Sequence, residues 1–304
     1  MRAKLLVQTL GAAGQAWWSD DALRLGASLA YYTLFAIGPV LLVATAIAGM
    51  VFGPEAVRGE IVAQLDDLIG REGAQTVETL LEGASRRQAG IFATVIGSIA
   101  FIVAATGAFL ELQVALNTIW RVKPRAGAYL RALIIDRLRS FGLVVAVGFL
   151  LLVSLVITAA LAALSAWIAE RWPGFPTTLT AISLLVSLIV TSGLFAMLFR
   201  FLPDVRLHWE DVATGAVVTA VLFMIGQQAI GLYLGQSTMT TSYGAAGSVM
   251  VLLLWVYYSC QILLFGAEFT RLWAARHGVK PKPESFAVKD PDAINPKSAL
   301  TAVD

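Results

Sequence analysis

The sequence predicts an all-α, polytopic integral membrane protein with six transmembrane helices and both termini in the cytoplasm. The first reason is composition, because 58% of the 304 residues are hydrophobic and only 14% are charged. Soluble domains have roughly 25% charged residues, so a soluble fold of this composition could not keep its surface wet. The second reason is that charged residues are absent from five long runs. These runs are 25–54, 88–110, 140–169, 172–199 and 212–267.

The uncharged runs supply six spans, because a helical span needs about 20 apolar residues and the last run is long enough for two. The predicted spans are about 28–52, 90–113, 140–168, 176–200, 212–234 and 245–269. The third reason is the distribution of positive charge. With a cytoplasmic N-terminus, 17 of the 22 Lys and Arg residues fall on inner segments and 5 on outer ones. This bias follows the positive-inside rule, so the sequence predicts that both termini are inside.

The segments around these spans have different characters. Residues 1–24 are predicted to be a cytoplasmic segment whose residues 3–23 form a helix along the membrane surface. Trp17 and Trp18 are expected to lie at headgroup depth. The six-helix transmembrane domain occupies 25–272. Apolar residues recur at three-to-four spacing in the outer loop 53–89, which predicts two amphipathic helices broken at glycines. That loop could cap the outer mouth, lie on the lipid surface or hold a dimer together. The proline-rich, charged segment 273–304 is predicted to be a disordered cytoplasmic tail.

Polar groups within the spans are candidate functional residues, because burying them in hydrocarbon is costly. Glu111 and Glu268 each follow an apolar stretch at the inner end of a span. They could form interfacial ion pairs with Arg24, Arg139, Arg200 or Arg271, or hold an ion, a proton or a lipid headgroup. Amides at membrane depth either join helices or face a cavity. The candidate cavity residues are Glu111, Asn117, Gln227, Gln228, Tyr257, Gln261 and Glu268.

Catalytic motifs are not found in the sequence. The single cysteine, Cys260, excludes an intrachain disulfide, and the two histidines, His208 and His277, belong to separate inner segments. No HExxH, Walker or GxSxG motif occurs. We therefore expect no catalytic residues, no metal site and no cofactor. The basic inner loop 121–139 is already explained by membrane topology, so we expect membrane lipids as partners and no nucleic acid.

Several segments together resemble the YihY/BrkB family of bacterial inner-membrane proteins. They are SLAYYT at 28–33 leading to Pro39, ALNTIWRV at 115–122, FLPDV at 201–205 with WEDVATG at 209–215, and YGAAGS at 243–248 running to WVYY at 255–258 and GAE at 266–268. The resemblance covers about residues 20–275. The positions that match the recurrent motifs are Tyr32, Pro39, Asn117, Trp120, Pro203, Asp204, Asp211, Gly215, Tyr243, Gly244 and Glu268.

The resemblance implies a six-span protein of the bacterial cytoplasmic membrane. Names attached to the family include a virulence factor and a ribonuclease BN. This sequence does not support the ribonuclease label. Some members are linked to envelope lipid or lipopolysaccharide export, so the resemblance suggests an inner-membrane transporter or lipid-handling protein. The alternatives are a non-transporting scaffold for envelope machinery, with homo-oligomerisation left open, and a membrane-embedded lipid enzyme.

Overall fold

The structure is a computed structural model that describes residues 2–36, 59, 78, 107–125, 176–235, 245–279 and 281–290. The described part of the chain is mostly helical. Its longer helices are α1 (Arg2–Ser19), α2 (helical residues 22–36), α3 (helical residues 107–119), α4 (Pro176–Phe201), α5 (Trp209–Gly235) and α6 (Ala245–Arg276).

Three of these helices are long and apolar enough to cross a membrane. The candidate spans are Ala181–Phe201, Trp209–Ile230 and Val249–Arg276. They coincide with the predicted fourth, fifth and sixth spans, so the structure supports the membrane prediction there. Residues 28–36 and 107–113, the described parts of the first two predicted spans, are also helical. The third predicted span, Pro39 and the outer loop 53–89, apart from residues 59 and 78, lie outside the described residues. The count of six and the orientation remain predictions.

A helix is present where the interfacial helix was predicted, but it ends earlier than the sequence suggested. The prediction joined 3–23 into one helix, whereas α1 ends at Ser19 and α2 begins after a turn at Asp20 and Asp21. Asp21 has a φ of 52°. Aspartate is one of the few non-glycine residues that adopts this left-handed conformation at modest cost, and the turn therefore separates the two helices.

Two short antiparallel strand pairs correct the all-α prediction. Strand β1 (Val122–Pro124) pairs with β4 (Ala287–Lys289), and β2 (Val205–Arg206) pairs with β3 (Lys282–Pro283). The prediction of a disordered tail over 273–304 is therefore wrong for residues 281–290. The prediction rested on the amino-acid composition of the segment, which indicates only how much apolar surface the segment itself can bury. These strands instead form backbone hydrogen bonds with two loops that are far away in the chain.

The chain divides into two compact units. Unit 1 comprises Met1–Ala13, Leu116–Leu222 and Gly266–Asp304, and unit 2 comprises Gly14–Ala115 and Phe223–Phe265. Among the described residues of unit 1, the largest fully buried apolar side chains are Leu116, Ile119, Val212, Phe199, Phe269 and Leu272. The two strand pairs also belong to unit 1.

Small residues let α5 and α6 approach closely within unit 1. A Cβ atom added to Gly215 would collide with the Thr270 side chain, and one added to Gly266 would collide with Thr219. The Thr219 hydroxyl donates to the Gly215 carbonyl at 2.7 Å, and the Thr270 hydroxyl donates to the Gly266 carbonyl at 2.6 Å. Both hydroxyls are therefore satisfied within their own helices, and the packing resembles the small-residue contacts of membrane helices.

We expect Gly215→Ala to destabilise the protein, because the new methyl group would overlap Thr270. Overpacking of this kind costs about 1–3 kcal/mol. Gly11→Ala is the matched control, since a Cβ on Gly11 meets nothing within 4 Å. The thermal unfolding midpoint of purified protein in detergent should fall for Gly215→Ala and stay equal or rise for Gly11→Ala. Equal midpoints for both variants would contradict close packing at Gly215.

Candidate functional site

The predicted site residues are divided between the two units. Asn117, Trp120, Pro203, Asp204, Asp211, Gly215 and Glu268 belong to unit 1. Tyr32, Glu111, Gln227, Gln228, Tyr257 and Gln261 belong to unit 2. Pro39, Tyr243 and Gly244 lie outside the described residues.

Asn117 and Asp204 hold each other through two hydrogen bonds in unit 1. The Asn117 Nδ2 donates to Asp204 Oδ2 at 2.8 Å, and the Asp204 backbone N–H donates to Asn117 Oδ1 at 2.8 Å. Asp204 is 1% exposed and Asn117 is 8% exposed. The amide uses both of its ends, so its orientation is fixed by the carboxylate and the backbone together. We call this pair the Asn117–Asp204 clasp; it joins α3 to the loop that follows α4.

Glu268 is completely buried and forms an ion pair with Arg271 one turn later on α6. The arginine approaches the same carboxylate oxygen with Nη2 at 2.6 Å and with Nε at 3.1 Å. Gly266 and Thr270 on the same helix face α5, and Glu268 lies about 200° round the helix from Gly266. The carboxylate therefore occupies the opposite side of α6. This geometry favours the ion-pair interpretation of Glu268 over a ligand site.

Asp211 shapes the start of α5. Its Oδ2 accepts a hydrogen bond from the His208 backbone N–H at 3.0 Å, which is the helix-capping role of an acidic residue at the third helical position. Asp211 also borders an open cleft of about 480 Å³ that is lined by Glu210, Thr214, Trp273 and His277. Among the described residues, no group of three or more His, Cys, Asp or Glu side chains is arranged to hold a metal ion.

Helices α2 and α3 pack antiparallel in unit 2 and support Glu111. The Ser28 hydroxyl donates a hydrogen bond to Glu111 Oε1. One turn away along both helices, the Tyr32 ring lies against Gly107. Glu111 is partly exposed. Within the described part of the chain, its hydrogen-bond partner is thus a hydroxyl group and not a guanidinium.

Gln261 of α6 lies against a different face of α2. Its side chain contacts Gly26 so closely that a Cβ at Gly26 would collide with it. The Gln261 Nε2 lies 3.5 Å from the Leu23 carbonyl oxygen, which makes a long hydrogen bond at most. Its Oε1 is buried and accepts no hydrogen bond from the described residues. Within unit 2, α2 therefore lies between the Glu111 carboxylate and the Gln261 amide, whose oxygen accepts no hydrogen bond from the described residues.

The remaining predicted residues are less tightly held. Gln227 and Tyr257 are partly exposed, and Gln228 is exposed. The two neighbouring amides differ in exposure because adjacent positions point about 100° apart on a helix. The ring of the neighbouring Tyr258 lies against Gly226 of α5.

Sequence reasoning missed Ser28, Thr219 and Thr270. A signal for the two threonines was present, because Gly215 and Thr219, like Gly266 and Thr270, are spaced four apart as small residues on one helix face. No pattern in the sequence pointed to Ser28 as the partner of Glu111.

A profile of the family described as virulence factor BrkB matches residues 13–290. The chain belongs to this family. The BrkB-family chain is 29% identical over 250 residues to UPF0761 membrane protein RSc1559 of Ralstonia nicotianae, covering 82% of this chain and 54% of the relative. It is 25% identical over 275 residues to UPF0761 membrane protein RC1_0578 of Rhodospirillum centenum, covering 89% and 59%. It is also 27% identical over 263 residues to UPF0761 membrane protein PSHAa0171 of Pseudoalteromonas translucida, covering 84% of each.

The BrkB-family chain spans between half and three-fifths of the length of the first two of these relatives. No solved structure matches it. The recognition of the YihY/BrkB family from sequence motifs is confirmed, and these relatives are named as membrane proteins.

We expect the Asn117–Asp204 clasp to appear as energetic coupling in a double-mutant cycle. Asn117→Ala removes both hydrogen bonds of the pair, and Asp204→Ala removes the one between the side chains, so the free energies of unfolding should be non-additive by about 0.5–3 kcal/mol. Chemical denaturation of the two single variants and the double variant in detergent measures this coupling.

The control cycle combines Asn117→Ala with Asp21→Asn, because Asp21 is exposed and its contact with Arg24 is long, at 3.9 Å. That cycle should be additive within about 0.5 kcal/mol. A coupling between Asn117 and Asp204 no larger than the control would show that the clasp does not contribute to folding.

Proposed function

We propose that this BrkB-family protein is a bacterial inner-membrane transporter that handles lipids or lipid-like molecules with a polar headgroup. The observation that carries the proposal is Glu111, a partly exposed carboxylate in a predicted span whose partner is the Ser28 hydroxyl.

The surroundings of Glu111 support a role in binding. Ionisable groups within a membrane are costly and usually mark a substrate or ion pathway when they are not neutralised by a partner. A hydroxyl donor orients a carboxylate but does not cancel its charge. Glu111 can therefore bind an ammonium group or a hydroxyl-rich headgroup.

Gln261 supports the same region of unit 2. Its buried Oε1 accepts no hydrogen bond from the described residues, and a buried acceptor without a donor costs about 1–3 kcal/mol. A polar ligand or a water molecule would satisfy this oxygen. Glu111 and Gln261 both contact α2, so movement of α2 would affect the two polar groups together.

Glu268 has a different role in this proposal. Its carboxylate is buried and accepts two hydrogen bonds from Arg271, which fixes the inner end of α6. Breaking such a buried pair costs about 3–5 kcal/mol, so it suits a fixed support better than a site that opens and closes.

The described basic residues are consistent with an inner-membrane location and cytoplasmic termini. Lys282 and Lys289 of the C-terminal strands and Arg206 of β2 are exposed. Each basic residue near an anionic leaflet contributes about 1 kcal/mol of attraction. In addition, the Arg200 guanidinium lies 4.4 Å from the centre of the Trp209 ring, an arrangement suited to the membrane interface.

We expect Glu111→Gln to slow lipid transfer while leaving the fold intact. Purified protein would be reconstituted into liposomes with a trace of fluorescent phospholipid, and the loss of inner-leaflet fluorescence after adding dithionite would be measured. The neutral amide can still accept the Ser28 hydrogen bond but lacks the charge. The rate should therefore fall by at least about tenfold, which corresponds to about 1.4 kcal/mol.

Asp21→Asn is the charge-removal control, because Asp21 is exposed and asparagine tolerates the same left-handed backbone. Its transfer rate should equal that of the wild type. Wild-type liposomes that transfer no more lipid than protein-free liposomes would contradict the proposal and favour the scaffold alternative.

A further inference from the structure

The C-terminal segment 281–290, which we call the strap, is docked onto two loops of unit 1. Its strand β3 pairs with β2, and its strand β4 pairs with β1. Three further backbone hydrogen bonds extend the pairing. They run from Arg125 N to Phe286 O at 2.8 Å, from Glu284 N to Asp204 O at 2.9 Å and from Asp290 N to Arg121 O at 2.9 Å.

The strap is anchored mainly by Phe286. The residue is 6% exposed and the neighbouring Ala287 is 5% exposed, so the turn between β3 and β4 inserts into the core of unit 1. Extended peptides that add to a strand edge are recognised in the same way, by backbone pairing and a buried side chain. The strap is therefore bound as a peptide ligand would be.

Ion pairs at the two ends of the strap are accessible to solvent. Lys123 Nζ lies 2.9 Å from Asp290 Oδ1, and Arg206 Nε lies 3.2 Å from Glu284 Oε2. Such partly exposed pairs contribute little net stability. The strand ladders are only two and three residues long. Short strand ladders and solvent-accessible ion pairs characterise a segment of low local stability, in which the buried Phe286 ring is a main contact.

The connection to α6 ends the helix sharply before the strap. Gly278 has a φ of 79°, the Gly278 N–H bonds to the Ala275 carbonyl, and the Val279 N–H bonds to the Ala274 carbonyl. This pattern is a Schellman motif, which terminates a helix and sends the chain in a new direction. The helix end is consequently complete without the strap, and α6 does not need to unwind when the strap leaves.

The strap joins two loops that follow different helices. Strand β1 follows α3, and β2 follows α4. The backbone carbonyl of Asp204, whose side chain forms the Asn117–Asp204 clasp, accepts a hydrogen bond from Glu284 of the strap. Docking therefore covers both loops and resists their separation.

We propose that the strap is a releasable intramolecular cover: it occupies a strand-addition site formed by β1 and β2, and its departure uncovers the two loops. The site would accept an extended peptide with an aromatic residue near its centre. This proposal concerns the closure of the loops and does not depend on the transport function.

The test measures how fast a cysteine under the strap reacts. Val205 pairs with Pro283 and is 3% exposed, so Val205→Cys in a Cys260→Ala background places one buried thiol on the strand that pairs with the strap. The full chain in detergent would be labelled with a charged maleimide. We compare Phe286→Ala, which removes the anchor, with Ser285→Ala, an exposed neighbour in the same turn.

Phe286→Ala should raise the labelling rate at least about tenfold, because losing one buried ring weakens docking by more than that factor. Ser285→Ala should leave the rate unchanged. A synthetic peptide PKPESFAVKD, added in excess to the Phe286→Ala protein, should restore slow labelling, and the same peptide with alanine for phenylalanine should not. Equal labelling rates for the two variants would overturn the proposal. Fast labelling that the peptide does not slow would do so too, since it would indicate general unfolding.

Discussion

The described structure of unit 1 depends on how one buried carboxylate is satisfied. Asp204 is almost completely inaccessible, and an unpaired charge there would cost several kcal/mol. Asn117 from α3 donates to the carboxylate and accepts from the backbone of the same residue, while the carbonyl of Asp204 accepts from Glu284. The end of α3, the loop after α4 and the strap are therefore positioned by a single residue. Asn117 and Asp204, two of the positions that match the family motifs, are both part of this arrangement.

The two candidate carboxylates of the spans differ in their partners and in their exposure. Glu268 is buried against Arg271, so its charge is neutralised where it stands. Glu111 is partly exposed and oriented by Ser28, so its charge remains available. Glycines allow close contacts in each unit: Gly215 and Gly266 bring α5 against α6 in unit 1, and Gly26 and Gly107 admit the side chains of Gln261 and Tyr32 in unit 2. Close helix packing provides a rigid framework in which an unneutralised polar group can be tolerated.

The sequence was informative where the signal is local. Spans four to six follow from uncharged runs, and Arg271 was one of four arginines considered as ion-pair partners of the two candidate carboxylates. The clasp and the strap could not be predicted, because each joins residues that are far apart in the chain and carry no periodic signal. Disorder was wrongly predicted for 281–290 because Phe286 and Ala287 are the strap's only buried residues, too few to mark it by composition. Ser28 was overlooked because a hydroxyl on a helix has several local partners and nothing in the sequence identifies Glu111 as the chosen one.

The different roles assigned to Glu268 and Glu111 are tested most directly by comparing Glu268→Leu with the double variant Glu268→Leu/Arg271→Met. Both the free energy of unfolding and the rate of lipid transfer would be measured. If Glu268 is only a support, the single variant should lose about 3–5 kcal/mol because Arg271 is left buried without its partner. The double variant should recover most of that stability, since an apolar pair can replace a buried ion pair, and should transfer lipid at the wild-type rate. A double variant that is stable but transfers no lipid would contradict the assignment and identify Glu268 as a functional carboxylate.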